Sequence, residues 1–78
     1  MPTVLRVKGY RIFFFSLESR EPPHVHVEQA ERYAKVWLER PAVACSRGFR
    51  SSELSEILGI VDSYRDLILE RWNEHFAR

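Results

Sequence analysis

The fold is decided by residues 21–28, which read Glu21-Pro22-Pro23-His24-Val25-His26-Val27-Glu28. Successive side chains of a β-strand point to opposite faces, so this stretch predicts a strand with His24, His26 and Glu28 on one face and the two valines on the other. The prolines fix φ and lack N–H donors, so the strand begins only after them. Two of the three histidines of the chain therefore share one surface, either as a chemical site or as sheet residues that simply face solvent.

The segments around this strand predict an antiparallel meander of about four strands. Residues 3–7 and 10–15 are β-prone and flank Lys8-Gly9, a two-residue turn in which glycine supplies a positive φ. Residues 33–38 alternate in the same way and are expected to pair with the strand that starts at His24, through a loop of four or five residues. Joining sequence neighbours is the simplest topology for such strands.

The segment that follows is ambiguous. Pro41 ends the fourth strand, because proline cannot donate to a sheet ladder. Residues 42–45 are a short apolar piece that forms either a further strand or a turn of helix, and the sequence does not distinguish the two.

The periodicity changes at Ser51 or Ser52, either of which can cap a helix. From there apolar residues recur at helical spacing: Leu54, Ile57, Leu58, Val61, Tyr64, Ile68, Trp72 and Phe76. The additional Ile60, Leu67 and Leu69 make this stripe wider than one sheet face requires. Either the helix breaks near residues 59–63, or part of its apolar surface contacts another chain; we favour one long helix. The predicted fold class is thus α+β, with the sheet packed against one C-terminal helix.

Strand parity divides the sheet residues into two sets. One set is apolar and is expected to face the helix: Ile12, Phe14, Val25, Val27, Ala34, Val36 and Leu38. The other set forms the outer face, which is expected to be open: Arg6, Arg11, Phe13, Phe15, His24, His26, Glu28, Tyr33, Lys35 and Trp37. Such a mixture of cations and rings binds phosphates while stacking bases, or it forms an aromatic protein interface with a cationic rim.

Length and cysteine content restrict the class of protein. A chain of 78 residues is one domain, 1–78, near the size at which a core alone gives marginal stability, so we expect support from a partner. The single cysteine, Cys45, excludes an internal disulfide and fits a reducing cytoplasm. The first residues do not resemble a signal peptide and no apolar run is long enough to span a membrane, so a soluble cytoplasmic protein is expected.

The net charge of +1 conceals an asymmetry along the chain. Residues 1–50 contain nine lysines and arginines against five glutamates, whereas residues 51–78 contain three arginines against six acidic residues. The first part therefore carries +4 and the second −3. A basic half suggests an anionic partner, although this excess alone is too small to indicate nucleic acid.

The histidine pair has the spacing of an acid and base pair. Residues i and i+2 of a strand lie about 6.5–7 Å apart, so two imidazoles can bracket a phosphate. One would remove a 2′-hydroxyl proton and the other would protonate the leaving oxygen, while Lys35 or Arg11 stabilises the developing charge. Metal-independent RNA cleavage by His24 and His26, assisted by Lys35, is therefore one hypothesis. The sequence has no glycine-rich phosphate loop, CxxC pair or nucleophile elbow, so no cofactor is predicted.

A metal-binding protein is a further alternative, because a histidine pair needs at least one more ligand to hold a metal. The candidates are Glu28 on the same face, Glu21 across the proline bend and His75 on the helix, but none has a diagnostic spacing. No metal is therefore assigned.

Five segments together resemble one bacterial family. They are PTVLR (2–6), YRIFFF (10–15), EPPHVHV (21–27), AKVWL (34–38) and WNEHF (72–76). On these residues the chain is identified as a member of the family catalogued as domain of unknown function 4160, with EPPHVHV as the most specific motif. Members are commonly encoded beside a small protein of domain-of-unknown-function family 2442, an arrangement similar to a toxin and antitoxin pair. The resemblance implies a partner protein but no reaction, and it places Glu21, His24, His26 and Lys35 at the characteristic polar positions of the family.

The leading hypothesis is a cytoplasmic toxin-type protein that a small antitoxin-like partner neutralises and that acts on RNA or another anionic target through the outer face. The rival hypothesis is a non-catalytic interaction module whose histidine and aromatic face is a docking surface. The binding residues expected on either hypothesis are Arg6, Arg11, Phe13, Phe15, Glu21, Glu28 and Trp37. The wide helix stripe and the exposed rings also predict association, so a homo-oligomer is a further expectation.

Overall fold

Five strands are followed by two helices in the computed structural model, which describes residues 3–14 and 21–76. The strands are β1 (Thr3–Val7), β2 (Tyr10–Phe13), β3 (His24–Gln29), β4 (Arg32–Trp37) and β5 (Ala42–Arg47), and the helices are α1 (Ser51–Ser63) and α2 (Arg65–His75). Each strand pairs antiparallel with its neighbours in sequence, in the spatial order β1-β2-β3-β4-β5. The predicted α+β class and the meander are confirmed.

Two-residue turns close the first and third connections of the meander. Lys8 and Gly9 have φ values of 52° and 85°, and two positive φ values are what a type I′ hairpin turn requires. In the hairpin of β3 and β4, Gln29 pairs with Arg32, so Ala30 and Glu31 alone form the turn. The expected loop of four or five residues is wrong, because Ala30 adopts a positive φ of 55° that its residue type does not signal.

The ambiguous segment after Pro41 is a strand, so the sheet has five strands rather than about four. In β5, Val43 lies opposite Val36 and Cys45 lies opposite Lys35, with a register shift between them. A bulge of this kind places two residues against one and interrupts the alternation. Because the bulge interrupts the alternation, residues 42–45 lack the regular pattern that would have identified them as a strand.

The single long helix that we favoured is wrong, because the helical segment is divided at Tyr64, one residue beyond 59–63. Tyr64 has φ −104° and ψ 14°, outside the helical range, although its amide still donates to the Ile60 carbonyl. The next residue, Arg65, donates from its guanidinium to the carbonyl oxygens of Leu38 (2.7 Å) and Glu39 (2.9 Å). These bonds fix the beginning of α2 against the chain that leaves β4. Within the described residues, no helix is long and apolar enough to cross a membrane.

The core lies between one sheet face and the helices. All seven residues of the predicted apolar set are buried, and six of them form one cluster with Tyr10 and with helix residues Ile57, Ile60, Val61 and Ile68. Two polar contacts join the sheet to α1: Arg32 binds Glu53 at 2.7 Å, and the Tyr10 hydroxyl donates to Glu56 at 2.8 Å. Strand parity around β3 is therefore as predicted.

The turn at Ala30 provides a first test of this geometry. Ala30→Gly should raise the free energy of unfolding by about 0.5–1 kcal/mol, because glycine adopts a positive φ without the steric cost that alanine bears. Urea denaturation of the wild type and the variant measures this difference. Glu31→Gly is the matched control, since Glu31 does not have a positive φ and the added flexibility should destabilise the turn. An equal gain in both variants would contradict the explanation.

A second prediction concerns alkaline pH. Burial, together with the hydrogen bond to Glu56 and its charge, raises the pKa of Tyr10 to about 12. Since this is above the ordinary value near 10, the stabilisation is complete below pH 10 and is lost as the pH rises towards 12. The difference in free energy of unfolding between wild type and Tyr10→Phe should therefore shrink over that window, by up to about 2 kcal/mol. Glu56→Gln should make this stability difference depend less on pH. A difference between wild type and Tyr10→Phe that stays constant with pH would contradict the raised pKa of Tyr10.

Candidate functional site

The proline bend positions the histidine pair at the beginning of the central strand. The Pro23 carbonyl accepts a hydrogen bond from the Leu38 amide at 3.0 Å, which ties the bend to the residue after β4. The Pro22 carbonyl oxygen lies 2.9 Å from His24 Nδ1, so a residue of the proline bend fixes the orientation of the His24 ring. β3 has β2 on one side and β4 on the other, so the histidine pair lies in the middle of the sheet.

The expectation that the outer face is open is wrong at its centre. The exposed fraction is 0% for His24, 4% for His26 and 1% for Phe13. Both imidazoles do lie on the face opposite the valines, because His26 pairs with Phe13 on one side and Lys35 on the other. The strand parity is therefore as expected, and aromatic packing on that face explains why the two histidines are buried rather than open to solvent.

An aromatic stack, made of Phe13, His26 and Tyr33, crosses three neighbouring strands. The His26 ring stacks on Phe13 with 5.4 Å between centroids and on Tyr33 with 5.7 Å. The Tyr33 hydroxyl also lies 2.6 Å from His26 Nδ1, so ring packing and a hydrogen bond act on the same side chain. Arg11 lies 4.3 Å from the centroid of Phe13, and Arg47 lies 5.9 Å from that of Tyr33. The stack therefore has a guanidinium at each end, an arrangement that stabilises both cations.

His24 belongs to a second group of rings, to which α2 contributes. Its ring lies 5.7 Å from that of Trp37 and 5.2 Å from that of Trp72. Trp72 in turn contacts Phe14 at 5.4 Å and Phe76 at 4.3 Å. Trp72 belongs to the apolar stripe that the sequence predicts for the helix, and the structure shows that its side chain also packs against His24.

Lys35 is part of an ion pair rather than an isolated phosphate ligand. Its ammonium lies 2.7 Å from a carboxylate oxygen of Glu21 and 4.8 Å from the centroid of Trp37. The same oxygen of Glu21 is 3.7 Å from His24 Nδ1. Lys35, Glu21 and His24 are thus brought together, and the carboxylate already occupies the position where an anionic substrate would bind the lysine.

The remaining predicted residues form the surroundings of this centre. Arg11 binds Glu28 at 3.1 Å, and the exposed Arg6 lies opposite Arg11 on β1. Trp37 is half-buried and lines a cleft with Pro22, Pro23 and Ala42. Phe15 lies outside the described residues. The sequence reasoning missed Arg47, whose place beside Tyr33 becomes visible only when β5 is paired with β4.

The described residues do not provide a set of ligands for the metal that the sequence left as an alternative. His75 packs against Phe14 at 5.3 Å and Phe76 at 4.8 Å. In the part of the chain that the structure describes, no three His, Cys, Asp or Glu side chains are grouped so that they could hold a metal ion. The two histidines also form polar contacts through Nδ1 that a ligand role would have to preserve or replace.

Comparison with known proteins assigns this arrangement to one family. The family model described as "Domain of unknown function (DUF4160)" matches residues 9–73, which include the proline bend, both histidines and Trp72. No curated protein and no solved structure matches the chain.

The packing of His26 leads to a third prediction. His26→Ala should lower the free energy of unfolding by about 2–4 kcal/mol, because it removes a buried ring from between Phe13 and Tyr33. His26→Phe should cost less than half as much, since the stack remains and the contact with the Tyr33 hydroxyl is lost. Chemical denaturation measures both, with the exposed change Asn73→Ala on α2 as control. Wild-type stability in His26→Ala would show that the ring is not part of the packed structure.

Proposed function

The chain belongs to the DUF4160 family, and from that membership we propose that it is the toxin-type component of a two-gene bacterial module and binds a small cognate partner protein. Its surface, rather than a catalytic histidine pair, performs this function. The target that it acts on when the partner is absent is anionic.

The enclosure of the histidine pair is the observation that favours a binding surface over a catalytic pair. With exposed fractions of 0% and 4%, neither imidazole offers a surface on which a substrate could be placed. General acid and base catalysis requires hydrogen-bond reach to the proton that moves, and covering rings prevent that reach. The groups that a partner or target can reach are instead those that surround this centre.

The charges around the centre favour an anionic target. Arg6, Arg40, Arg47 and Arg50 are exposed, and residues 40–52 contain three arginines and no acidic residue. Arginine presents a planar fork of donors that suits carboxylates and phosphates. An acidic protein surface or a nucleic-acid backbone would therefore be attracted to the β5 side of the sheet, near Arg40, Arg47 and Arg50, whereas Arg6 lies on the opposite edge strand, β1.

RNA cleavage remains the second candidate function, because one observation favours it. The two imidazole rings lie 5.3 Å apart, and Lys35 pairs directly with His26 on the neighbouring strand. These are the groups that a metal-independent ribonuclease needs. The cover over His24 would have to move before RNA could bind, since Trp72 packs against its ring.

Co-expression separates the two functions and forms the fourth prediction. The chain alone should inhibit bacterial growth, and co-expression with the protein of the adjacent gene should relieve inhibition and yield a complex that co-purifies. His26→Phe keeps an aromatic ring in the stack but removes both imidazole nitrogens. On the binding proposal this variant should retain toxicity and the partner; on the cleavage alternative it should lose toxicity and retain the partner.

Arg71→Ala, an exposed change on α2, is the control for expression level. Absence of any complex with the neighbouring protein would contradict the proposed function. Normal growth when the chain is expressed alone at the level of the control would contradict the toxin role.

A further inference from the structure

Strand β5 is an edge strand with an accessible backbone. It pairs with β4 on one side, and no other described strand lies on its other side. Five of its six residues are exposed and Val43 is half-buried. The side chains at 42–46 are small, so they leave the outer row of peptide groups accessible. Proteins usually protect such an edge with charged side chains, proline, a bulge or a covering segment. β5 has the bulge and Arg47, but it contains no lysine or proline.

An apolar cleft of about 380 Å³ adjoins this edge where β5 begins. Its lining is Pro22, Pro23, Trp37 and Ala42, with Glu39 and Arg40 at the same opening. The prolines and the indole present carbon surface, which suits an aliphatic or aromatic side chain. The cleft lies on the β3 and β4 side of β5, so a segment paired with the free edge would reach it by continuing across the end of the sheet where β5 begins, at Ala42. Backbone pairing and an anchoring side chain would then act on the same ligand.

The charge along the edge restricts what that strand can be. Arg40, Arg47 and Arg50 are exposed, and no acidic residue lies between 40 and 52. A second copy of this chain would bring another set of the same arginines along the same line, and opposed like charges destabilise a strand pair. An acidic segment gains from the same cations.

We propose, on the basis of the partner binding inferred above, that an extended acidic segment of the partner adds to β5 as a sixth strand, continues across the end of the sheet at Ala42, and there inserts one apolar side chain into the cleft at Pro22, Pro23 and Trp37. Backbone hydrogen bonds to the β5 edge supply affinity. The cleft and the arginines supply selectivity for sequence and charge.

The experiment uses the co-purified complex and the single cysteine of the chain, Cys45, which is exposed on β5. The rate of its alkylation by N-ethylmaleimide should fall at least tenfold in the complex, and amide hydrogen exchange should slow at residues 42–47. Arg47→Glu and Ala42→Glu should each weaken the complex at least tenfold, the first at the end of the edge and the second at the cleft. Arg6→Glu makes the same charge change on the opposite edge strand, β1, and should have a much smaller effect.

Four outcomes would overturn the inference. A complex in which Cys45 reacts as fast as in the free chain would refute the β5 site and leave the proposed function intact. Equal weakening by Arg47→Glu and Arg6→Glu would indicate general charge attraction. Protection of Cys45 that grows with the concentration of the chain alone would identify a second copy as the occupant. Failure to form any complex would refute the proposed function and this inference together.

Discussion

Burial of both faces of β3 is the constraint on which the rest of the structure depends. Val25 and Val27 pack towards the helices, while His24 and His26 are enclosed by rings on the opposite face. Central strands buried on both sides usually carry apolar residues throughout. Imidazoles are tolerated here because each has a polar contact close by, to the Pro22 carbonyl and to the Tyr33 hydroxyl. The proline bend and Tyr33 are therefore requirements of the fold as well as features of a site.

The parts of the fold that could be predicted are those with local signals. Alternation around β3 determined which residues face the helices, and Lys8-Gly9 marked a tight turn by residue type. The turn at Ala30 and the division of the helix at Tyr64 could not be predicted, because neither position has the glycine or proline that usually marks such a change. Both follow from tertiary contacts, including the bonds from Arg65 to the end of the sheet.

The candidate site was predictable in composition but not in exposure. Parity places His24, His26 and Lys35 on one face, and the structure brings Lys35 and His24 to the same carboxylate, Glu21. Whether that face is open depends on Trp72, which approaches His24 from α2. The path of α2 depends in turn on the break before it, so no local pattern could reveal the enclosure. The position of Arg47 beside Tyr33 could not be predicted either, because it depends on the irregular register in which β5 pairs with β4.

The meander also has a consequence for the order of folding. Every strand pairs with the strand next to it in sequence, so the sheet can form from contacts with small loop-closure costs. The contact of Trp72 with His24, by contrast, joins widely separated parts of the chain. During synthesis the N-terminal segments emerge from the ribosome first, so all five strands leave the ribosome before α2 does. The nascent chain therefore passes through a period in which His24 lacks its tryptophan cover, and the histidine can be enclosed only after α2 has been synthesised.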